Sequence, residues 1–277
     1  MPLAIHNNKP GDDKVILERY DEPAWNNPVV RFFAPDGDEL LPRKDLVWDA
    51  EPLAARMIAA LDAADRPVPG YLRLAHEELR EDGLAQAVFS MACFWKGEAA
   101  YGAQPGVRST RAAGLDGREV VEVTYDPERL PFQDLLAAGL EGSCADQVWV
   151  ADAAQQAQAQ ELLDSTVAVA VRDGDDVASD AKPSDQKFYL QRSAMNHLPL
   201  TPLQATRANA LLAPDGAPAA KQALMDILSP HQRTLLQRIE TMLNDKPSAL
   251  DGLERPAAVP DLAGYEADLE RRLNSSR

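Results

Sequence analysis

A cysteine at the end of an apolar run is the first candidate for chemistry. Residues 84–92 are predicted as a strand, Cys93 follows directly, and residues 94–103 are predicted as a helix. A helix N-terminus presents unpaired N–H groups and the positive end of the helix dipole, and both stabilise a thiolate. Cys93 is therefore a candidate nucleophile. The alternative is a small buried core residue, which most free cysteines are.

The remaining residues that could bind a metal or form disulfides are scattered along the chain. The four histidines are His6, His76, His197 and His231. The spacing of these residues matches no zinc site, and the chain has no Cys-x-x-Cys pair. We therefore expect neither a metal nor a bound cofactor. The second cysteine, Cys144, leaves open a redox pair with Cys93.

Composition limits the kinds of partner. The chain has 277 residues, 45% of them hydrophobic, and a formal net charge of −16. A surface this acidic repels nucleic acids and anionic membranes, so we expect neither as a partner. No run of about 18 apolar residues predicts a membrane span. The N-terminal residues have no apolar secretion segment, and we expect a cytoplasmic protein.

The order of predicted elements in the middle of the chain indicates a fold class. Strands are predicted at 84–92, 107–113, 119–125 and 147–150, and helices at 94–103 and 131–141. This β-α-β-β-α-β order is that of a ferredoxin-like, split βαβ core. A further helix at 151–163 and a strand at 166–171 follow. The prediction is an α/β fold of the α+β class, with a central domain at residues 84–172.

The segment before this core, residues 1–83, is predicted as a partial domain. A short strand at 14–18 is followed by a hairpin, whose turn is centred on Asp36-Gly37, and by a helix at 51–64. A hairpin and then an amphipathic helix resembles the C-terminal half of a thioredoxin-like domain. The thiol motif of that family is absent, so this resemblance implies no activity.

The segment after the core, residues 173–277, is predicted as a linker and a helical C-terminal extension. Thr201-Pro202 and Ser229-Pro230 each have an N-cap residue followed by proline, which predicts a helix start. The polar and aromatic stretch 187–209 includes Tyr189, Arg192 and His197. These side chains could fold over the Cys93 pocket, or the stretch could be an ordered strap on the core.

Four motifs in the central domain resemble those of the peptide methionine sulfoxide reductase A family. In chain order they are Ala92-Cys-Phe-Trp-Lys-Gly-Glu98, Pro105-Gly-Val-Arg-Ser-Thr-Arg111, Glu119-Val-Val-Glu-Val-Thr-Tyr-Asp-Pro127 and Phe132-Gln-Asp-Leu-Leu136. The resemblance implies that family's ferredoxin-like core. It also implies a thiol-dependent oxidoreductase that acts on a small-molecule or peptidyl sulfoxide.

The resemblance assigns a role to each matching residue. It makes Cys93 the nucleophile that attacks the sulfoxide sulfur, and Phe94 and Trp95 the aromatics that hold the substrate's methyl group. It makes Glu119 the acid that protonates the departing oxygen. A carboxyl group beside a hydrophobic pocket keeps its proton more readily, which suits that role. Turnover would need an external thiol reductant such as thioredoxin.

Two departures from the family pattern concern the donors to the sulfoxide oxygen. The family's tyrosine between its second and third motifs has no counterpart here, and neither does its later tyrosine-bearing motif. Losing such a donor typically lowers the rate by about 10²–10³. Either Tyr101, Tyr125, Trp149 or a C-terminal residue replaces these donors, or the substrate differs.

Cys144 is the candidate resolving cysteine. In the predicted topology Cys93 ends the first strand of the core and Cys144 precedes the fourth. Because these two strands run antiparallel, both cysteines could lie at one edge of the sheet. The alternative is that Cys144 is a buried core residue. The corresponding alternative for the whole protein is a non-catalytic module for redox sensing or protein interaction, on a decayed reductase fold.

Overall fold

The computed structural model describes residues 4–6, 10–22, 28–80, 82–142, 147–163, 167–172, 178–214, 220–253 and 262–275. It divides into two compact units, Met1–Arg80 and Glu81–Arg277. Among the helices of the described ranges, none is both long enough and apolar enough to cross a membrane. The predicted boundaries at residues 83 and 172 stay a prediction.

The described residues of the N-terminal unit form three helices and an irregular hairpin. The helices are α1 (Asp12–Arg19), α2 (Ala50–Ala63) and α3 (Gly70–Leu79). The hairpin between α1 and α2 has two isolated bridges, Val30 with Lys44 and Phe33 with Glu39. The strand predicted at 14–18 is wrong, because these residues belong to α1. Acidic residues in the first turn and Arg19 in the last turn favour a helix there by complementing its dipole.

An ionic cluster connects the start of the hairpin with its end. The Glu22 carboxylate accepts hydrogen bonds of 2.8 Å from Nε of Arg31 and from Nε of Arg43. Its side chain is only 8% exposed. The hydrogen bond from Arg43, supported by Arg31, lowers the pKa of Glu22 despite the opposing effect of its burial. The cluster therefore stabilises this unit only while Glu22 is ionised.

The second unit is built on a six-stranded sheet with the order β5-β4-β1-β3-β2-β6. Its strands are β1 (Ala85–Ser90), β2 (Val107–Leu115), β3 (Arg118–Tyr125), β4 (Gln147–Val150), β5 (Ala168–Val171) and β6 (Ser179–Asp180). Its first helices are α4 (Phe94–Gly102), α5 (Phe132–Gly142) and α6 (Ala153–Leu162). Within the described residues, β4 and β5 are the one pair of strands that runs in parallel. The predicted order of strands and helices is observed, and the α+β class is confirmed.

The main core lies on one face of this sheet. Val121, Val123 and Tyr125 alternate along β3 and belong to this core, whereas Val120 belongs to a second cluster with Trp149. Alternation with a period of two residues is what a pleated strand imposes. Side chains from α4, α5 and α6 also belong to the main core. The helix α4 is therefore packed on the sheet through the same core as α5 and α6.

The C-terminal extension is a helical layer with its own apolar core. After β6, which pairs with β2, it continues with short 3₁₀ segments and with α7 (Pro202–Leu211), α8 (Ala220–Asp226), α9 (Pro230–Asp245) and α10 (Leu262–Ser275). The helix starts predicted at Thr201-Pro202 and Ser229-Pro230 are confirmed, each with a complete capping box. The two capping-box glutamines, Gln204 and Gln232, also hydrogen-bond to each other. Two helix starts thus stabilise one another.

Helix α7 packs directly on α4, so the extension is part of the second unit. A Cβ on Gly102 would lie 3.0 Å from the Thr206 carbonyl oxygen, which explains the glycine at this crossing. The Arg207 guanidinium donates to the carbonyl oxygens of Gly102, Gln104 (2.6 Å) and Val107 (2.9 Å). A cation on the last carbonyls of a helix also complements its dipole. The C-terminus of α4 is therefore capped by the extension.

The Glu22 cluster gives the N-terminal unit a specific pH dependence. We expect Glu22→Gln to lower the free energy of unfolding by about 1.5–3 kcal/mol at pH 7, because charge-assisted hydrogen bonds are lost. The folded pKa of Glu22 lies below its ordinary value of 4.5. The wild-type advantage is therefore complete above that value and disappears as the pH falls through the folded pKa.

Urea unfolding of the full chain at pH 7 and at pH 3 tests this expectation. The matched control is Glu18→Gln, which removes an exposed ion pair with Lys14 and should have little effect at either pH. A wild-type advantage over Glu22→Gln that is equal at both pH values would contradict the assignment.

Candidate functional site

Cys93 is the N-cap residue of α4, with an extended backbone (φ −156°, ψ 110°) and a half-buried side chain. The Met91 N–H donates to the Glu119 carbonyl at 2.8 Å, so pairing with β3 continues to within two residues of Cys93. The Cys93 carbonyl accepts from the Gly97 N–H at 3.2 Å, within the first turn of the helix. The predicted position of Cys93, between a strand and a helix start, is observed.

The Glu119 carboxylate lies against the same helix start. Its Oε2 accepts a hydrogen bond of 3.0 Å from the backbone N–H of Phe94, the first residue of α4. It thereby takes the place of a capping side chain, which Cys93 does not supply. Glu119 is exposed, not enclosed by apolar side chains as the sequence led us to expect. The difference arises because Glu119 is the second residue of β3, close to the exposed Asp116-Gly117 turn.

Close packing beneath the first turn fixes α4 on the sheet. A Cβ on Gly97 would overlap Met91 Cε and come within 2.9 Å of Val121 Cγ2. These two neighbours are buried members of the main core, so a larger side chain at position 97 would have to displace them. Gly97 therefore allows the close approach that places the turn after Cys93 beside the Glu119 side chain.

The two aromatics after Cys93 have different surroundings. Phe94 borders an open cleft, and its ring centroid is 6.1 Å from that of Trp95, in an edge-on arrangement. Trp95 stacks on Phe188, with 3.6 Å between centroids and 15° between planes. The Arg192 guanidinium lies 3.2 Å from the Phe188 centroid. One face of the Trp95 indole is therefore covered by the chain itself.

The Trp95 indole also has an unsatisfied donor. Its Nε1 is buried, and no acceptor within the described residues hydrogen-bonds to it. Leaving a buried donor without a partner costs about 1–3 kcal/mol. Most such groups in native proteins are paired, so this one needs an explanation.

A buried carboxylate holds the start of the strap, residues 186–192, on α4. Glu98 is fully buried and accepts from Thr110 Oγ1 at 3.1 Å and from the Lys187 N–H at 2.7 Å. The Lys187 ammonium forms an ion pair with the same carboxylate. A buried charge needs this kind of pairing. Lys187 has a positive φ of 48°, so its backbone turns sharply just before Phe188.

Side-chain amides hold the strap on either side of this ion pair. The Gln186 side chain accepts from the Ala112 N–H at 3.1 Å and donates to the Ala112 carbonyl at 2.6 Å. The fully buried Asn209 side chain accepts from the N–H groups of Tyr189 (3.0 Å) and Leu190 (3.2 Å). The strap is therefore held on either side of Phe188, at residues 186–187 and at residues 189–190.

The residues considered as replacement donors lie in the core. Tyr101 is fully buried and stacks on Phe89, and burial raises the pKa of its hydroxyl well above the ordinary value. The Tyr125 hydroxyl accepts from Gln155 Nε2 at 3.2 Å, and burial raises its pKa to about 12. Trp149 is 2% exposed in the second cluster. None of the three borders the cleft described next.

An open cleft of about 670 Å³ lies beside the first turn of α4. Phe94 and Glu119 border it together with the β2–β3 turn, and Ser179–Lys182 and Asp185 form its other side. The sequence predicted a linker and a helical extension for residues 173–277 and assigned none of residues 179–185 to a site. Phe188 was also missed, although the aromatic pair at positions 188 and 189 was a visible signal.

Cys144 lies outside the described residues, as do Ser143, Ala145 and Asp146. Its proposed resolving role therefore stays a prediction. Within the described residues, no group of three or more metal-ligating side chains comes together.

Comparisons with known proteins give a distant similarity. No protein-family model matches the chain, and no curated protein matches it. One of the solved structures that match is the methionine sulfoxide reductase A of Corynebacterium diphtheriae, at 16% identity. That match covers 46% of this chain and 85% of the other chain, with a TM-score of 0.35.

The Glu98–Lys187 pair gives a prediction for the second unit. We expect Glu98→Gln to lower the free energy of unfolding by about 3–5 kcal/mol, because it leaves the half-buried Lys187 ammonium without its counter-charge. In Glu98→Gln/Lys187→Met no lone charge remains, so the double variant should lose less than the sum of the single losses.

Urea unfolding of the wild type, both single variants and the double variant measures this coupling. Glu161→Gln, at an exposed position of α6, is the matched control and should unfold like the wild type. Additive losses in the double variant would show that the two side chains do not act as a pair.

Proposed function

We propose that this protein is a thiol-dependent oxidoreductase that reduces a sulfoxide, in the manner of a methionine-S-sulfoxide reductase. In this proposal the Cys93 thiolate attacks the oxidised sulfur and Glu119 supplies the proton. The substrate's apolar end meets Phe94 and Trp95. The motifs around these residues support the assignment, and so does the position of Cys93 as the N-cap residue of a helix.

The observation that carries the proposal is the hydrogen bond between the Glu119 carboxylate and the Phe94 N–H. This hydrogen bond holds a carboxyl group of β3 against the residue next to Cys93, the N-cap residue of α4. A nucleophile and a proton donor at one helix start are what this reaction needs. The adjoining cleft, bordered by both Phe94 and Glu119, gives a substrate access from solvent.

The proposed reaction transfers one oxygen atom. The Cys93 thiolate attacks the sulfoxide sulfur, the S–O bond breaks, and the oxygen passes to Cys93 with the proton from Glu119. The products are a thioether and a sulfenic acid at Cys93, so the substrate sulfur is reduced by two electrons and the cysteine is oxidised by two. Glu119 regains its proton from solvent, which its exposed position permits.

A second thiol completes the cycle. It attacks the sulfenic acid, releases water and forms a disulfide with Cys93. Cys144 is the candidate within the chain, and an external thiol is the alternative. A dithiol reductant of the thioredoxin type then reduces the disulfide and restores the Cys93 thiol.

One observation favours a second candidate function, a non-catalytic module for redox sensing or protein interaction. Phe188 covers a face of Trp95, the residue that the reductase assignment reserves for substrate. In this second function, the aromatic side chains pack against the chain itself and not against a substrate. Cys93 can then be oxidised without catalysing a reaction. Activity measurements separate the two functions.

Dithiothreitol-driven reduction of free and peptidyl methionine sulfoxide, with both sulfur epimers, tests the proposal. We expect turnover by the wild type, none by Cys93→Ser, and a loss of about 10²–10⁴ in kcat for Glu119→Gln, because the proton donor is removed. The matched control is Asp116→Asn, which alters another carboxyl group that borders the cleft and should retain activity.

Absence of wild-type turnover on every substrate would contradict the reductase proposal. Mass spectrometry after mild peroxide treatment then tests the sensing module, which requires oxidation at Cys93 in preference to the methionines. An active Cys93→Ser variant would exclude Cys93 as the nucleophile.

A further inference from the structure

We propose that Gly114 is a specificity-determining residue of the reductase site, because it leaves open the floor over which the substrate's α-carbon and main chain lie. The inference rests on the proposed function and adds to it a place for the part of the substrate beyond the sulfoxide. Gly114 does not touch the reacting atoms. It determines how large a group the sulfoxide can carry.

Gly114 lies in a row of residues that crosses three strands. In the pairing of β2 with β3 it is opposite Glu119, and in the pairing of β2 with β6 it is opposite Ser179. Directly opposite residues point to the same face of a sheet. For this row it is the face that carries α4, because Glu119 alternates with Val121 of the main core and accepts from the Phe94 N–H.

All three residues of this row border the cleft. Glu119 and Ser179 are exposed, and Gly114 is half-buried. Apart from its chain neighbours, a Cβ on Gly114 would have within 4 Å only the Ser179 Oγ, at 3.2 Å, and the Arg118 carbonyl oxygen, at 3.8 Å, among the described residues. A side chain at position 114 would therefore stand in the cleft, between Glu119 and Ser179.

Neither the backbone nor the packing of β2 requires a glycine at this position. The φ angle of Gly114 lies outside the left-handed region, in contrast to that of Gly117, which is 73°. The atom closest to a Cβ on Gly114 is the hydroxyl oxygen of exposed Ser179, which can rotate. A glycine within a strand costs stability relative to alanine, and it often marks a place where a ligand approaches the backbone. The cleft is such a place.

The spacing of the row fits a methionine sulfoxide. Neighbouring strands lie about 4.8 Å apart. Three single bonds separate the sulfur of methionine from its α-carbon, and the extended side chain spans about the same distance. When the sulfoxide is beside Glu119, the α-carbon therefore lies over Gly114. The main chain then continues toward Ser179 and Lys182, which border the cleft on its other side.

This arrangement separates two kinds of substrate. A small sulfoxide such as dimethyl sulfoxide reaches Glu119 and Phe94 without extending over Gly114. A sulfoxide on an amino-acid or peptide main chain has to cross this position. A side chain at position 114 therefore acts against the second kind and not against the first. A general distortion of the site would instead lower the turnover of both.

Steady-state kinetics of Gly114→Ala and Gly114→Val with both kinds of substrate test the inference. For N-acetyl-methionine sulfoxide we expect kcat/KM to fall about tenfold with alanine, and further with valine, because each added carbon takes space that the substrate needs. For dimethyl sulfoxide we expect no change. The urea midpoint of Gly114→Ala should equal or exceed that of the wild type. Ala168→Val, which enlarges an exposed position of β5 away from the cleft, is the matched control.

A binding measurement provides a readout that needs no turnover. In ¹⁵N-labelled Cys93→Ser protein, the Gly114 amide resonance is identified by its loss in Cys93→Ser/Gly114→Ala. N-acetyl-methionine sulfoxide should shift this resonance saturably. The Kd of the same compound, followed on the Phe94 amide, should rise about tenfold in Cys93→Ser/Gly114→Ala.

The outcomes distinguish the inference from the function on which it rests. Wild-type turnover together with an unimpaired Gly114→Ala variant overturns the inference, and so does an equal loss on both substrates. Absence of a saturable shift at Gly114 overturns it whether or not the wild type is active. If the wild type reduces neither compound but N-acetyl-methionine sulfoxide binds over Gly114, and more weakly after the alanine substitution, the reductase function fails and Gly114 remains the floor of a binding site.

Discussion

The buried carboxylate of Glu98 is the constraint on which the arrangement of the second unit depends. A carboxylate cannot remain ionised in a protein core without a partner, so α4 requires a cation from elsewhere in the chain. Lys187 supplies it from the C-terminal extension and brings the following residue, Phe188, onto Trp95. Buried ion pairs often add little net stability. The contact fixes which residue of the strap lies against the first turns of α4.

Both ends of the cysteine-bearing helix are held by charges of the sign that its dipole favours. Glu119 places a carboxylate on the first N–H of α4, and Arg207 places a guanidinium on carbonyls at its C-terminus. The two side chains come from β3 and α7, so the sheet and the extension converge on one short helix. Cys93 is thus positioned by elements distant from it in sequence. Its own side chain forms no capping hydrogen bond.

The elements that could be predicted were those determined by residues close to them in the sequence. The strands and helices of residues 84–172 and the two capped starts of α7 and α9 follow from periodicity, turns and N-cap residues, and they were placed to within a few residues. Strand β6 and helix α8 were not predicted. The segment at 14–18 was predicted as a strand, but it is helical. A run of five residues is too short for its apolar pattern to distinguish a strand from a helical turn, and the charged residues at the two ends of α1 were not considered. Glu119 could be named from its motif, but its exposure depends on where the β2–β3 turn ends.

The role of residues 179–192 could not be read from the sequence. Their composition suggests a linker, and nothing local indicates that Gln186 pairs with Ala112 or that Lys187 meets Glu98, since each contact spans more than seventy residues. The orphaned indole N–H is likewise a property of the assembled site. It becomes visible only when every neighbour of Trp95 is in place.

The central claim is that oxygen passes from a sulfoxide to Cys93. A single-turnover experiment on the Cys144→Ser protein tests it most directly, with methionine sulfoxide in excess, no reductant, and a sulfenic-acid trap such as dimedone. The account predicts one equivalent of methionine per protein molecule and a trap adduct at Cys93 alone. Release of no methionine, or an adduct elsewhere with Cys93 unmodified, would contradict it.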